Sequence, residues 1–383
     1  MPFVIPLKAL TRYDLKAPLT KWLDGASPSN TSLDSVAAVC ISPMEYVSLK
    51  PNFHSVDCQK ELTRLTSLRN CLSDAIPKAE SHKHALDDFA LQDCHEYHAA
   101  LLAFESKGFP TRDDGSNLEL TWTAAIPPQK EKHGSLVWDR VCTLWNIAAL
   151  ESFLGEQQNA DKEGRKKAVK HYQNASACMR YLQEAVEGHS FETVDMRKSL
   201  LQFWENIMLA QAQIAAYGMA ASTPGMHALL SHLAMGAVPV LNEALLCAKD
   251  PFIASSLPKH IQEWASECKG QSMLLAARAE YHQAVVGREA KTWGAEIARL
   301  DKAQSHLKDC ISFLKTSNLD TTMAETIMRR VQDRMIEAVR DNRMYGEELP
   351  KELPEIPLKM LAKNDMEMPE TMTKPKVPLF EKL

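Results

Sequence analysis

The distribution of proline constrains the fold of this chain more than any other feature of its sequence. None of the 20 prolines lies in residues 129–223 or 259–349. Proline inside a helix removes a hydrogen bond and clashes with the preceding turn, at a cost of about 3 kcal/mol or more. The two spans therefore predict stacked long helices, whereas the prolines crowded into residues 350–378 predict an extended segment.

Apolar residues within the proline-free spans recur with the period of a helix. One stripe at spacings of three and four comprises Ala168, Val169, Tyr172, Ala175, Met179, Leu182 and Val186. Residues 138–154 are apolar on nearly every side, which predicts a central helix with several neighbours. Two further helices are predicted over residues 271–288 and 295–315, with small residues where they meet. The pattern favours helical hairpins of tetratricopeptide-like architecture without a strict repeat.

Strand signals are confined to two segments, residues 3–8 and the alternating apolar run in residues 118–123. They predict a small β-sheet near the N-terminal end of a mainly α fold. Residues 25–55 carry three prolines and are expected to form a loop with a short helix.

Charge and cysteine content narrow the class of protein. The net charge of −5 gives no general attraction to nucleic acid, because phosphate binding normally needs a basic face. Nine scattered cysteines without a C-x-x-C pair are typical of reduced thiols in the cytosol. The apolar run at residues 3–5 is too short for a signal peptide or a membrane span. A soluble, cytoplasmic protein is expected.

Motifs that carry catalysis are missing from the sequence. It contains no G-x-x-x-x-G-K-S/T loop, no G-x-G-x-x-G loop and no G-x-S-x-G elbow. The nearest metal-like cluster is residues 94–98 (CHEYH), in which His95 and His98 are three residues apart rather than four. A polar helix surface is the better interpretation, and a metal hydrolase using these histidines is the least favoured hypothesis. No catalytic residue, metal or cofactor is predicted.

A basic run lies on the polar side of the Tyr172 helix. It comprises Arg165, Lys166, Lys167 and Lys170. One interpretation is an ordinary solvated face. The other is attraction to anionic lipid or to an acidic partner, worth about 1 kcal/mol per basic residue near a membrane. The two interpretations are compatible.

Several stretches, in order along nearly the whole chain, resemble the Bro-one domain of the ALIX family. They are residues 4–8 (VIPLK), 171–176 (HYQNAS), 207–213 (IMLAQAQ), 279–283 (AEYHQ), 294–300 (GAEIARL), 341–345 (DNRMY) and 379–382 (LFEK). The resemblance implies an elongated, curved array of helical hairpins forming a single domain over residues 1–383. Its expected parts are residues 1–128 with the small sheet, a helical-hairpin core at 129–349, and the proline-rich segment 350–383.

The resemblance also implies a function. Members of this family act without catalysis, cofactor or small-molecule substrate. They bind the C-terminal amphipathic helix of the filament-forming ESCRT-III subunit, in endosomal sorting, budding or scission, after recruitment to endosomal membranes. The alternative is a helical scaffold for a different peptide, such as one in pH-response signalling.

A groove for such a helix is predicted around residues 207–233. Thr223 and Pro224 have the character of an N-cap and first helical position. The stripe that follows is Met226, Leu229, Leu230 and Leu233, with Ile214 and Tyr217 beside it on the preceding helix. An apolar groove between two helices is a common receptor for an amphipathic helix.

The resemblance assigns individual roles within this groove. The family's two aliphatic contacts fall on Leu229 and Leu233, and its aromatic contact falls on Ala216, next to Tyr217. Loss of the large ring at Ala216 leaves two hypotheses open: a neighbour fills the space, or the partner differs. A leucine stripe on a helix is more often core, but the resemblance favours binding for Leu229 and Leu233 and leaves Leu230 and Tyr217 open. Tyr345 aligns with a family tyrosine that is a kinase target; local packing of its ring is the alternative.

Overall fold

The computed structural model describes residues 3–25, 56–81, 89–109, 118–189, 191, 193–363 and 370–374. The loop and short helix predicted for residues 25–55 lie, beyond Gly25, outside the described residues.

The described chain is mainly helical, as predicted. Its α-helices are α1 Lys16–Gly25, α2 Val56–Ser81, α3 Phe89–Ser106, α4 Leu136–Glu156, α5 Lys162–Ala185, α6 Lys198–Ala220, α7 His227–Cys247, α8 Pro251–Ser256, α9 Pro258–Glu289, α10 Trp293–Thr316, α11 Thr322–Tyr345 and α12 Glu370–Thr373. Its strands are β1 Ala9–Leu10, β2 Leu120–Thr123 and β3 Lys130–His133.

Local chemistry accounts for several helix ends. Asp250 caps α8 by accepting hydrogen bonds from the backbone N–H groups of Phe252 and Ile253. Helix α9 begins with Pro258, where a missing N–H costs nothing, so it extends well before the predicted residue 271. Helix α11 ends at Tyr345 and is capped by Gly346, whose φ of 71° is left-handed and favours glycine.

The sheet has the order β1-β2-β3 and is antiparallel throughout. The strand predicted at residues 118–123 is confirmed, but the one predicted at residues 3–8 is wrong, since β1 is only Ala9–Leu10. In residues 3–5 two backbone N–H groups bond to side chains instead of to a neighbouring strand. The Phe3 N–H donates to Gln211 Oε1 at 2.7 Å, and the Ile5 N–H donates to Ser152 Oγ at 3.0 Å. Strand β3 has no counterpart among the predicted strands, because its sequence KEKH has no apolar alternation.

The chain divides into two compact units, each assembled from separate segments. Unit 1 comprises Met1–Ile5, Glu151–Gln183 and Val194–Met366; unit 2 comprises Pro6–Leu150, Glu184–Thr193 and Glu367–Leu383. The expectation of a single domain with three consecutive parts stays a prediction.

Unit 1 contains the predicted helical hairpins. Helix α6 packs on α7, α7 on α9, α9 on α10, and α10 on α11. A core between α9, α10 and α11 includes Ala277, Ala284, Leu300, Ala303, Leu307 and Val331. The small residues predicted at this junction let the helices approach closely. Among the described helices, α7 is long and apolar enough to span a membrane; because core helices meet the same criterion, this is weak evidence of a span.

Unit 2 is organised around a buried carboxylate. Asp139 on α4 accepts hydrogen bonds from the Tyr97 hydroxyl and the Trp122 indole, and its Oδ1 lies 3.0 Å from Arg69 Nη1. All four side chains are buried, so the charge of Arg69 compensates that of Asp139 away from water.

Candidate functional site

Helix α7 begins later than the sequence predicts. It starts at His227, not at Pro224, and Thr223 is not its N-cap. The Thr223 N–H instead donates to the Ala220 carbonyl and so closes the last turn of α6. Gly225 has a φ of 77°, which interrupts right-handed helical geometry and forces the later start. Met226 therefore lies in an exposed turn between α6 and α7, with 40% of its surface accessible.

The predicted stripe separates into a buried row and an exposed row. Ala220, Leu230 and Leu233 form a small buried cluster between the helices. Tyr217 from α6 and Leu229 from α7 pack against this cluster and remain partly exposed.

The prediction of Leu233 and Leu230 as surface contacts needs correction. Leu233 has no exposed surface and Leu230 has 5%. The opposite face of α7 is covered by α9, where Ser231 Oγ donates to the Ala279 carbonyl at 2.9 Å. Because α6 and α9 both pack on α7, only a narrow strip of α7 is exposed. The four residues of the predicted stripe therefore cannot all reach solvent. Leu233 is a core residue in this arrangement.

Ala216 is also buried, with 1% of its surface exposed. A large ring at this position would point into packed protein, so its absence does not leave a hole at the surface. Tyr217, one residue further on, offers the exposed aromatic surface instead.

Tyr217 is held in place by a chain of hydrogen bonds. Its hydroxyl lies 2.8 Å from His282 Nε2, and His282 Nδ1 lies 3.1 Å from His227 Nδ1. A neutral His282 satisfies both contacts by accepting at Nε2 and donating at Nδ1. Burial, and then the charges of His227 and Arg278, lower the pKa of His282 to about 4. No local sequence pattern indicates this network, because its members lie on three helices.

The extended segment predicted from the prolines lies across α7, a placement that sequence reasoning missed; residues 347–363 are here called the C-terminal strap. Its Lys359 N–H donates to the His232 carbonyl at 3.1 Å. The Gln213 amide on α6 donates to the Lys359 carbonyl and accepts from the N–H groups of Leu361 and Ala362. The Lys359 carbonyl lies so close to Gly236 that a Cβ there would clash with it.

The strap adds apolar surface near the exposed row. Leu358, Met360 and Leu361 are all exposed. Gln213 precedes Tyr217 by one helical turn, and His232 follows Leu229 by three residues, so the strap crosses the helix pair about one turn below the exposed row.

The basic run does not form one surface. Lys166, Lys167 and Lys170 are exposed on α5. Arg165 is partly buried: its guanidinium lies against Gly218 of α6, and its Nε donates to the Ala160 carbonyl at 2.7 Å. Arg165 therefore lies beside the candidate site, because the glycine that it contacts follows Tyr217 directly in the chain.

The remaining candidates lie elsewhere. Tyr345 ends α11 and is exposed, with its ring stacked on Trp293 at a centroid distance of 4.9 Å. His98 Nδ1 lies 2.8 Å from the Met372 carbonyl and His95 Nδ1 lies 3.2 Å from Thr371 Oγ1, so both histidines contact α12. No group of three metal-ligating side chains occurs among the described residues.

Comparison with known proteins places these features in a family. A family model described as the BRO1-like domain matches residues 44–383. The chain is 28% identical over 318 residues to Programmed cell death 6-interacting protein of Homo sapiens, covering 80% of the chain and 33% of that protein. It is 25% identical over 273 residues to the pH-response regulator protein palA/RIM20 of Saccharomyces cerevisiae, covering 70% and 38%. The chain thus spans about a third of the length of these relatives.

A solved structure shows the same fold. The structure described as the ALIX BRO1 CHMP4C complex superposes with a TM-score of 0.78 at 25% identity, over 100% of this chain and 99% of that one. The mainly helical fold with its small N-terminal sheet is therefore confirmed.

Proposed function

The chain belongs to the BRO1-like domain family, and on that premise we propose that it is a non-enzymatic adaptor domain that binds the C-terminal amphipathic helix of an ESCRT-III filament subunit. The observation that carries the proposal is the exposed row of Tyr217, Met226 and Leu229 on the α6–α7 pair. The similar structure of ALIX BRO1 is one of a complex with CHMP4C, which supports a partner of this class.

The exposed row has the form that an amphipathic helix needs. Leu229 and Tyr217 are supported from below by buried side chains, so their exposed surfaces are held in place before a partner arrives. Preorganised apolar surface binds with a smaller loss of side-chain entropy. Leu229 is the central residue, since along α7 it lies between Met226 and His232, whose carbonyl bonds to the strap.

We predict that Leu229→Asp removes binding without unfolding the chain. A carboxylate placed in an apolar contact costs several kcal/mol, which is enough to erase micromolar affinity. The measurement is fluorescence titration with a C-terminal ESCRT-III peptide, together with the melting temperature of each variant. Because Leu229 is partly exposed, the melting temperature should fall by no more than a few degrees.

Two variants on the same helix serve as controls. Leu246 is exposed at the far end of α7, so Leu246→Asp should bind the peptide normally. Leu233 is fully buried, so Leu233→Asp should unfold or strongly destabilise the chain. Normal binding by Leu229→Asp would place the groove elsewhere and contradict the proposal.

A scaffold for a different peptide is the second candidate function. It is favoured by Ala216, which departs from the expected aromatic residue and is buried. The matched pH-response regulator palA/RIM20 shows that the curated relatives carry more than one functional name. Absence of detectable peptide binding by the wild-type chain at about 100 μM would favour this alternative.

Three finer assignments follow from the adaptor proposal. The protein is cytoplasmic and is recruited to endosomal membranes. The exposed Lys166, Lys167 and Lys170 supply a peripheral contact with anionic lipid. Tyr345 is a phosphorylation site, which its exposure permits and which would add charge at the end of α11.

A further inference from the structure

Two arginines from different helices lie at or next to Tyr217, and a third, on another helix, acts on it electrostatically. The guanidinium of Arg278, on α9, lies 5.7 Å from the centre of the Tyr217 ring. Arg165, on α5, reaches α6 and lies against Gly218, the next residue after Tyr217. Arg330 lies on α11 and is exposed. We call Arg165, Arg278 and Arg330 the arginine rim.

Electrostatics around the tyrosine hydroxyl agree with this geometry. Burial raises the pKa of Tyr217. The charged groups that act on it most strongly are all positive and oppose that rise: Arg278, Arg165 and Arg330. The three largest charge effects on Tyr217 are therefore of one sign, although Tyr281 acts in the opposite direction and the whole chain carries a net charge of −5.

The rim arginines lack carboxylate partners within the described part of the chain. The ion pairs found there include Arg288 with Asp341, Arg299 with Glu280, and Arg334 with Glu296, but none involves a member of the rim. Four other arginines of unit 1, the fourth being Arg340, are thus paired, whereas the rim arginines keep their charge available. An unpaired cation at the edge of an apolar contact attracts a complementary carboxylate on a partner.

From this juxtaposition we propose that the arginine rim selects a partner helix with carboxylates flanking its leucine face. The inference rests on the proposed function and deepens it: the exposed row supplies affinity for leucines, and the rim decides which amphipathic helices are accepted. Arg278 and Arg165 act at the edge of Tyr217, and Arg330 acts from α11 at longer range. A helix with lysines in the same positions is rejected by repulsion.

The experiment uses two designed helical peptides with the same leucine stripe. One carries glutamates beside the stripe and the other carries glutamines at the same positions. The wild-type chain should bind the glutamate peptide about tenfold more tightly at low ionic strength, and the difference should shrink as salt is added. Equal binding of the two peptides, or binding of neither, overturns the inference.

Variants of the rim test which residues are responsible. Each rim arginine is replaced by glutamine in turn (Arg278→Gln, Arg165→Gln and Arg330→Gln). Each variant should bind the glutamate peptide about threefold more weakly and bind the glutamine peptide with unchanged affinity. Arg278→Lys keeps the charge and should retain most of the preference. Arg343→Gln removes an exposed arginine at the end of α11 and serves as the control, with no effect expected. An unchanged preference in all three rim variants also overturns the inference.

Failure of the inference and failure of the proposed function give different results. Titration with the natural ESCRT-III peptide tests the function, and the designed pair tests the rim. If the natural peptide binds but the designed peptides show no preference for glutamate, the function stands and the rim is refuted. If the natural peptide does not bind but the glutamate preference is present and lost in rim variants, the rim stands and the partner is a different acidic helix.

Discussion

At the scale of single residues, the candidate site depends on a buried histidine that is neutral. His282 links Tyr217 to His227, and its pKa is lowered to about 4 by burial first and by neighbouring charge second. An unfolded chain has a histidine pKa of about 6.5. Between these two values the unfolded state binds a proton that the folded state does not, so stability falls as the pH falls through this window.

We predict a loss of stability on acidification that a single substitution reduces. The shift of His282 corresponds to on the order of 3 kcal/mol between about pH 6.5 and pH 4. Urea unfolding measured at several pH values should show this slope in the wild type and a shallower slope in His282→Gln. His98, whose pKa is lowered to about 3, also makes stability fall with falling pH. Its contribution to the slope should remain in the His282→Gln variant.

An exposed histidine provides the control for this measurement. His260 lies on the surface of α9, so His260→Gln should leave the slope unaltered. If His282→Gln and the wild type lose stability in parallel, the histidine is not kept neutral by its surroundings.

At the scale of helices and strands, the sequence predicts what its local pattern encodes. The proline-free spans contain α4, α5 and α6, then most of α9 with α10 and α11, because an unbroken apolar period needs no information from the rest of the chain. Helix α7 continues through Pro239, so the absence of proline is not a requirement for every long helix of this chain. Strand β3 pairs with β2 by backbone hydrogen bonds, so its charged side chains carry no signal of it.

No local pattern in the sequence predicts where the strap lies in the fold. Prolines in residues 350–378 indicated an extended segment, but only the folded chain shows that it lies on α6 and α7. One side chain, Gln213, bonds to three of its backbone groups, and burial of Ile356 adds apolar anchoring. Gly236 has no side chain because the strap occupies that space.

We predict that Gln213→Ala loosens the strap without unfolding the helices. The substitution leaves the Lys359 carbonyl and the N–H groups of Leu361 and Ala362 without this partner, at a cost of about 2 kcal/mol. Hydrogen exchange measured by mass spectrometry should show amides in residues 359–362 exchanging about tenfold faster or more. Peptides from α10 should exchange as in the wild type.

A milder substitution at the end of the strap gives a graded comparison. Gln173 makes one exposed hydrogen bond, from Nε2 to the Lys363 carbonyl at 3.1 Å. Gln173→Ala should therefore accelerate exchange much less than Gln213→Ala. Equal effects of the two variants, or none, would show that Ile356 and other contacts hold the strap instead of Gln213.

For the molecule as a whole, the sequence does not predict which residues are buried where their neighbours come from distant parts of the chain. Leu229 and Leu233 are both leucines on one predicted stripe, and the stripe alone cannot say which one is covered. The answer depends on α6, which meets Leu233 in the cluster with Ala220, and on α9, which covers the opposite face of α7. The division of the basic run has the same cause, since Arg165 meets a glycine on another helix while its lysine neighbours face solvent.

The fold and the family could be predicted because their signals are local. Short motifs such as residues 207–213 and 294–300 lie within single helices, so their resemblance to the family does not depend on contacts between helices. The hydrogen-bond chain through His282 and the arginine rim combine residues from separate helices. Such sites become visible only when the chain is folded.

The whole molecule is acidic, so a contact with anionic membrane has to come from a local patch. With a net charge of −5, long-range repulsion opposes binding, and Lys166, Lys167 and Lys170 contribute about 3 kcal/mol of attraction at most. We predict weak, salt-sensitive cosedimentation with phosphatidylserine vesicles that the triple substitution of these lysines by glutamate abolishes. Substituting three scattered exposed lysines by glutamate (Lys249, Lys259 and Lys308) changes the net charge equally and should weaken binding less. Equal losses in the two triple variants would mean that net charge, and no particular surface, governs the contact with lipid.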